Sequence, residues 1–175
     1  MVYAGPVDTF LAIASKRDAR RYADTPIDDE AVVRILQAGR VSGSARNRQL
    51  WSFVIAETAT SREALAACVY APDNVRDATL VVAVATPGGR ASLDVGRATQ
   101  NMMLAAWNDG IVSTLNGMPD ADAAARALEL DSDVSPVSVV TFAYPATARA
   151  LEARTADEWA ARANRKPLEE IVTRV

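Results

Sequence analysis

Three stretches of the chain carry side chains able to hold an anion or a polar ring. The first, Lys16-Arg17-Asp18-Ala19-Arg20-Arg21-Tyr22, puts four cations within six positions. Guanidinium forks match phosphate oxygens, and Lys adds a point charge. Cations at the end of a helix also serve simply to complement its dipole, and composition alone leaves both readings open. The second stretch, Ser42-Gly43-Ser44-Ala45-Arg46-Asn47-Arg48-Gln49-Leu50-Trp51, precedes an apolar run. Its small residues allow close backbone approach and its amides can bond a polar ring edge. Read blandly, it is a polar loop before a core strand. The third, Arg165-Lys166-Pro167-Leu168-Glu169-Glu170-Ile171-Val172, is a cationic pair far along the chain, or else a solvated tail.

What is missing narrows the chemistry further. There is no histidine among 175 residues, which removes Ser/His/Asp and Cys/His nucleophile systems and HExxH zinc sites. With Cys68 as the single cysteine, a zinc site of nitrogen and sulfur ligands cannot be assembled, so no metal is expected. Asp131-Ser132-Asp133 reads as a surface turn, because the rest of a calcium loop is lacking. Chemistry must therefore run on carboxylates, Lys, Tyr, Ser or a bound cofactor. A formal charge of −3 gives no sign of a nucleic-acid partner. No apolar run is long enough for a bilayer, and the opening MVYAGPVDTF lacks the layout of a signal peptide. Together with the lone thiol, this leads us to expect a cytoplasmic protein without membrane contact.

The elements that must position these residues alternate along the chain. Val7 to Lys16 has helical spacing, and Asp28-Asp29-Glu30 opens a second helix with Ile27, Ala31, Val32, Ile35 and Leu36 as its apolar face. Trp51–Ala56, Thr79–Ala85 and Ser135–Tyr144 read as buried strands, the second punctuated by Pro87-Gly88-Gly89. Asp94–Asp109 predicts a long central helix stopped by Gly110, with Met102 and Met103 as core filler and Asn101 as a buried amide satisfied by backbone. Ala121–Leu130 and Ala156–Ala163 predict short helices, and Asn74 after Pro72-Asp73 predicts a turn. Cys68 is read as inert on an apolar helix face. We find no repeat, linker, GxGxxG or GxxxxGK[ST], so a single α/β or α+β domain with a central sheet is expected over 1–175.

Taken in order, the clusters resemble the FMN-dependent nitroreductase family over most of the chain. Lys16, Arg17, Asp18, Arg20 and Tyr22 occupy the places of family openings of the form R-R-S-x-R-x-F followed by D-x-P-[IV], and the loop pattern P-S-x-x-N-x-Q-P-W is matched by Ser44, Asn47, Gln49 and Trp51. DVGRATQNMMLAAWNDGIVSTLNG and RKPLEEIV extend the likeness. The resemblance implies a homodimeric α+β fold, a three-layer α/β/α sandwich whose mostly antiparallel sheet surrounds a long buried helix. It implies FMN bound at the dimer interface, with Lys16, Arg17 and Arg20 at the phosphate and ribityl chain, joined by Arg165 and Lys166, and with Asp18 turned toward ribityl hydroxyls or neighbouring arginines. Ser44 and Asn47 would come from the partner subunit, Gln49 of the same motif would also bind the cofactor, and Asn116 and Gly117 would lie beside the reactive ring edge. The 155–175 arm would pack on the partner.

The implied activity is NAD(P)H-dependent reduction of nitro, quinone or similar electron-poor acceptors by ping-pong hydride transfer. The flavin carries the electrons, so no side chain is assigned as catalytic. The sequence departs from the pattern at Asp18 in place of Ser, at Gly43 and Leu50 in place of prolines, and in a short stretch between Ala85 and Asp94, which implies a more open pocket or one built from other parts of the partner. Three alternatives stand beside this reading. One is a flavin binder without turnover; another is a different flavin reaction (ene reduction, dehalogenation or flavin fragmentation). The third is a helical interaction domain with no flavin.

Overall fold

A computed structural model describes residues 8–90, 92–147 and 153–175. Val7, where the first expected helix begins, lies outside them. The described backbone divides into two compact units, one within 17–147 and one joining 8–16 to 153–175.

The larger unit is organised by a run of residues that is apolar on both faces. Leu80–Pro87 forms strand β2, buried from Leu80 to Thr86, as a strand must be when helices cover both sides. It lies between β1 (Ser52–Ile55) and β4 (Val134–Ala143), and β3 (Val112–Asn116) completes a four-stranded sheet ordered β1-β2-β4-β3. Every pairing is antiparallel. Leu80, Val82, Val84, Val140 and Phe142 face one layer of helices, while Val81, Ala83 and Val139 face the other.

The first layer is α2 (Asp29–Arg40) and α5 (Leu93–Asn108). Asp28 caps α2 by accepting the Ala31 N–H at 2.8 Å, and Ser92 caps α5 through Val95. At its other end, α5 closes in a Schellman motif. Gly110 takes φ 74°, its N–H donates to Trp107, and the Ile111 N–H donates to Ala106. The glycine stop read from sequence is thus what ends the helix. The two helices approach closely at Gly39, where an added Cβ would lie 2.6 Å from Phe53 Cζ and 2.9 Å from Met102 Cγ. Gly39→Val is expected to lower the free energy of unfolding by about 1–3 kcal/mol through overpacking, measured by urea denaturation.

The second layer holds α3 (Ala59–Ala66), α4 (Pro72–Arg76) and α6 (Ala121–Ala127). Cys68 is buried just after α3, and that burial pushes its thiol pKa up, in keeping with an inert thiol. Two sequence expectations are corrected here. Asn74 sits inside α4 and is buried rather than in a turn. Asn101 is exposed on the outer side of α5 and bonds a side chain, not backbone.

In the smaller unit, α1 (Thr9–Ser15) packs against α7 (Ala156–Ala161), and α8 (Leu168–Ile171) follows. A capping box between Thr155 and Glu158 starts α7, and bonds from Thr155 hold the Glu158 carboxyl below its ordinary range. Arg154 stacks 4.9 Å over the Trp159 ring. Phe10, Ile13, Leu168, Ile171 and Val172 all remain exposed on this unit, Leu168 at 72%.

Candidate active site at the sheet edge

The cationic stretch is fastened by its backbone to the β3 side of the sheet. Asp18 bridges Ser113 in parallel, and Thr114 Oγ1 donates to the Ala19 carbonyl at 2.6 Å. Tyr22 bridges Pro145, the Ala23 N–H donates to Tyr144, and the Ala146 N–H donates to Arg21. Ala19 is buried as the anchor, while Asp18, Arg20 and Arg21 are exposed and Arg17 is half-buried. Alternation between anchor and charge thus presents cations along an edge that would otherwise be open. The Ser113 Oγ is buried there without a hydrogen-bond partner.

β3 ends at Asn116 and Gly117, three and four residues beyond the Asp18 bridge. The Asn116 side chain is turned inward and fully engaged. Its Oδ1 accepts from Asn74 Nδ2 at 2.8 Å, and its Nδ2 lies within bonding distance of the Thr114 and Val139 carbonyls and of Thr141 Oγ1. Thr141 Oγ1 in turn meets the Tyr22 hydroxyl at 3.1 Å. This buried chain, Tyr22–Thr141–Asn116–Asn74, joins the cationic stretch to the end of β3. Tyr22 and Asn116 were singled out by motif; Thr141 was not, because a threonine within an apolar strand carries no signal of its own.

α4, which supplies Asn74, is tied to α3 by Arg76. Its guanidinium grips Glu63 with two bonds of 2.9 and 2.6 Å and reaches Asp73 at 3.1 Å. The grip holds the Glu63 carboxyl below its ordinary range. Gly117 is glycine for a steric reason. A Cβ there would lie 2.8 Å from Tyr70 Cδ2, and the Tyr70 N–H donates to the Gly117 carbonyl. The Tyr70 ring and Leu115 are left exposed beside it.

Ser44, Asn47 and Gln49 share one loop around the 3-10 turn Ala45–Asn47. Ser44 Oγ accepts the Gln49 N–H at 3.0 Å, and Gln49 Nε2 donates to Asn47 Oδ1 at 3.1 Å. Within one chain this loop does not join the Asn116 site at the sheet. The loop leads into β1 and Asn116 closes β3, the two outermost strands. Three inter-strand steps separate those strands, roughly 14 Å. Between α2 and β1 lies a groove lined by Val33, Leu36, Gln37, Arg40, Trp51 and Phe53, among others. Lys16, Arg165 and Lys166 belong to the smaller unit, whereas Arg17, Asp18 and Arg20 belong to the larger. Arg165 Nη1 donates to the Ala163 carbonyl at 2.7 Å, and both Arg165 and Lys166 are exposed. Among the described residues there is no cluster of three or more potential metal ligands, and no helix is long and apolar enough to cross a membrane.

An antiparallel four-stranded sheet layered by helices, with a cationic segment sewn to one edge, defines an α+β protein with a cationic rim. The Nitroreductase family model matches residues 13–88 and 70–144, and the chain belongs to that family. It is 27% identical to a nitroreductase, provisionally so named, from Desulfovibrio desulfuricans that was solved in complex with FMN. That match covers 97% of this chain and 98% of the other, with a TM-score of 0.80. A nitroreductase family protein from Clostridium difficile shares the fold at a TM-score of 0.79 and 19% identity, over 95% and 98% of the two chains. A relative from Methanothermobacter thermautotrophicus, provisionally named NADH dehydrogenase/NAD(P)H nitroreductase, is 25% identical over 150 residues, 80% of this chain and 78% of its own.

Proposed function

We propose that the protein is an FMN-dependent oxidoreductase that takes electrons from NADH or NADPH and delivers them to nitro, quinone or similar electron-poor acceptors. The observation that carries this reading is the stitching of the Arg17–Tyr22 segment to the same edge that ends in Asn116 and Gly117. Family membership and the FMN-bound relative support it. The residues present suit the cofactor. Cations from one short segment match a phosphate dianion, the exposed Tyr70 ring and Leu115 offer apolar surface to a flat heterocycle, and a buried hydroxyl at Ser113 still has bonding capacity.

When bound, FMN would supply the hydride and electron chemistry, with the protein supplying binding, orientation and electrostatics. Arg17 and Arg20 would hold the phosphate, with Lys16, Arg165 and Lys166 adding positive charge, and Asp18 would turn toward ribityl hydroxyls or neighbouring guanidinium groups. Asn116 would act through its backbone, since its side chain is spent inside the fold. Gly117 would leave the ring edge uncrowded.

The site would be completed by a second copy. Ser44, Asn47 and Gln49 leave from the opposite side of the sheet, so a partner's loop is the economical source for them. Exposed Leu168, Ile171 and Val172 give the 155–175 arm an apolar face fit to pack on that partner. In this reading the whole chain acts as one flavin-binding domain, in a cytoplasmic setting where reduced nicotinamide is at hand.

The test is anaerobic addition of NADH or NADPH to the FMN-loaded protein. Bleaching of the visible flavin bands by either donor is the expected result. Bound flavin that neither donor bleaches would reduce the protein to a passive binder. Light scattering on the eluted protein should give the mass of a dimer, and a monomer holding FMN tightly would contradict the shared site.

A further inference from the structure

We infer that one face of α5, formed by Asp94, Arg97 and Asn101, is a clamp that sets the shape of the 42–49 loop. At Gly43 the Arg97 guanidinium lies against the loop. The three side chains stand at i, i+3 and i+7, on a single side of the helix. Asp94 Oδ2 accepts the Ala45 N–H at 2.9 Å. Asn101 Nδ2 donates to Ser42 Oγ at 2.7 Å, and that hydroxyl donates on to the Ala38 carbonyl. Arg97 lies so close that a Cβ at position 43 would sit 2.7 Å from its Nη2.

The loop needs such a clamp. Arg46, Asn47 and Gln49 have φ of 54°, 53° and 48°, three non-glycine residues in the left-handed region within four positions. Backbone of this kind persists only where surrounding contacts over-determine it. With Gly43 and Leu50 the loop also lacks proline to stiffen it at those positions. Its internal bonds, Gln49 N–H to Ser44 and Gln49 to Asn47, close the loop on itself but do not fix it to the protein. The bonds to α5 do. Asp94, Arg97 and Asn101 are therefore positioning residues for Ser44 and Asn47, and their effect on cofactor binding rests on the FMN reading above.

The experiment pairs amide hydrogen exchange at Ala45 with FMN titration, in the full chain and with folding checked by circular dichroism. Asp94→Ala should speed exchange at Ala45 and weaken FMN binding, each by about tenfold. Asp94→Asn keeps an accepting oxygen and should restore most of both. Gly43→Ala, which pushes the guanidinium away, and Arg97→Ala, which removes it, should weaken FMN to a similar extent. Their double variant should be no worse than either alone, because both delete one contact. Multiplying effects in the double variant, wild-type exchange in Asp94→Ala, or faster exchange with unchanged FMN affinity would each overturn the inference. A wild-type protein that takes up no FMN would overturn the cofactor reading instead, and exchange at Ala45 would still decide whether the clamp exists.

Discussion

Replacing Arg17 and Arg20 together by alanine is expected to strip the protein of FMN and its yellow colour while leaving it folded. A hydrogen bond to a charged group contributes about 1.5–3 kcal/mol, so losing two should weaken FMN by about 100-fold to 10,000-fold. The fold should survive because the segment is held by other means. Its anchors are the Asp18 bridge, the Ala19 carbonyl on Thr114, and Tyr22 against Pro145 and Thr141. Equilibrium titration followed by flavin fluorescence measures the first effect, and far-ultraviolet circular dichroism the second. A double variant with unchanged affinity would show that the phosphate is bound elsewhere.

The second large effect is one of stability. Asn116→Leu keeps the side chain's bulk but removes every bond it makes. Asn74 Nδ2, itself buried, loses its acceptor, and Thr141 Oγ1 loses a donor. A buried polar group left unsatisfied costs about 1–3 kcal/mol; Asn74 Nδ2 becomes such a group, while Thr141 Oγ1 keeps Tyr22 and the Thr114 carbonyl, so a loss of about 1–3 kcal/mol is expected. Urea denaturation should show a lower midpoint with an unchanged slope. An Asn116→Leu variant as stable as the parent would mean that the buried chain from Tyr22 to Asn74 adds little to the fold, and that Asn116 is spared for another task.

How much of this could be read from the residues differs from one element to the next. α5 and its stop were legible because their signals are local: helical spacing and a glycine at C′. β2 was legible because burial on both faces makes it continuously apolar. β3 was not, since Ser113, Thr114 and Asn116 interrupt the apolar pattern, and its strand character comes from pairing with β4 and the stretch near Asp18. α4 was missed because five residues opened by Pro72 look like a turn until Arg76 is seen holding Glu63.

The candidate site divides in the same way. Its cations and the Ser44–Gln49 loop were visible as residue types at motif spacing. What holds them lies far off in sequence. Asp94 meets Ala45 across 49 residues, and Asn74 meets Asn116 across 42. No local pattern announces such partners, which is also why Asn101 was misread as a core amide. Composition did exclude whole classes of mechanism, since a chain without histidine has no side chain for the commonest acid–base roles.

The most direct measurement of the central claim is a visible-absorbance titration of the purified protein with FMN. We expect bound-flavin spectra that saturate at one cofactor per chain, with affinity falling as salt rises because cations hold the phosphate. A folded protein whose addition leaves the spectrum of free FMN unchanged at every concentration would contradict the account.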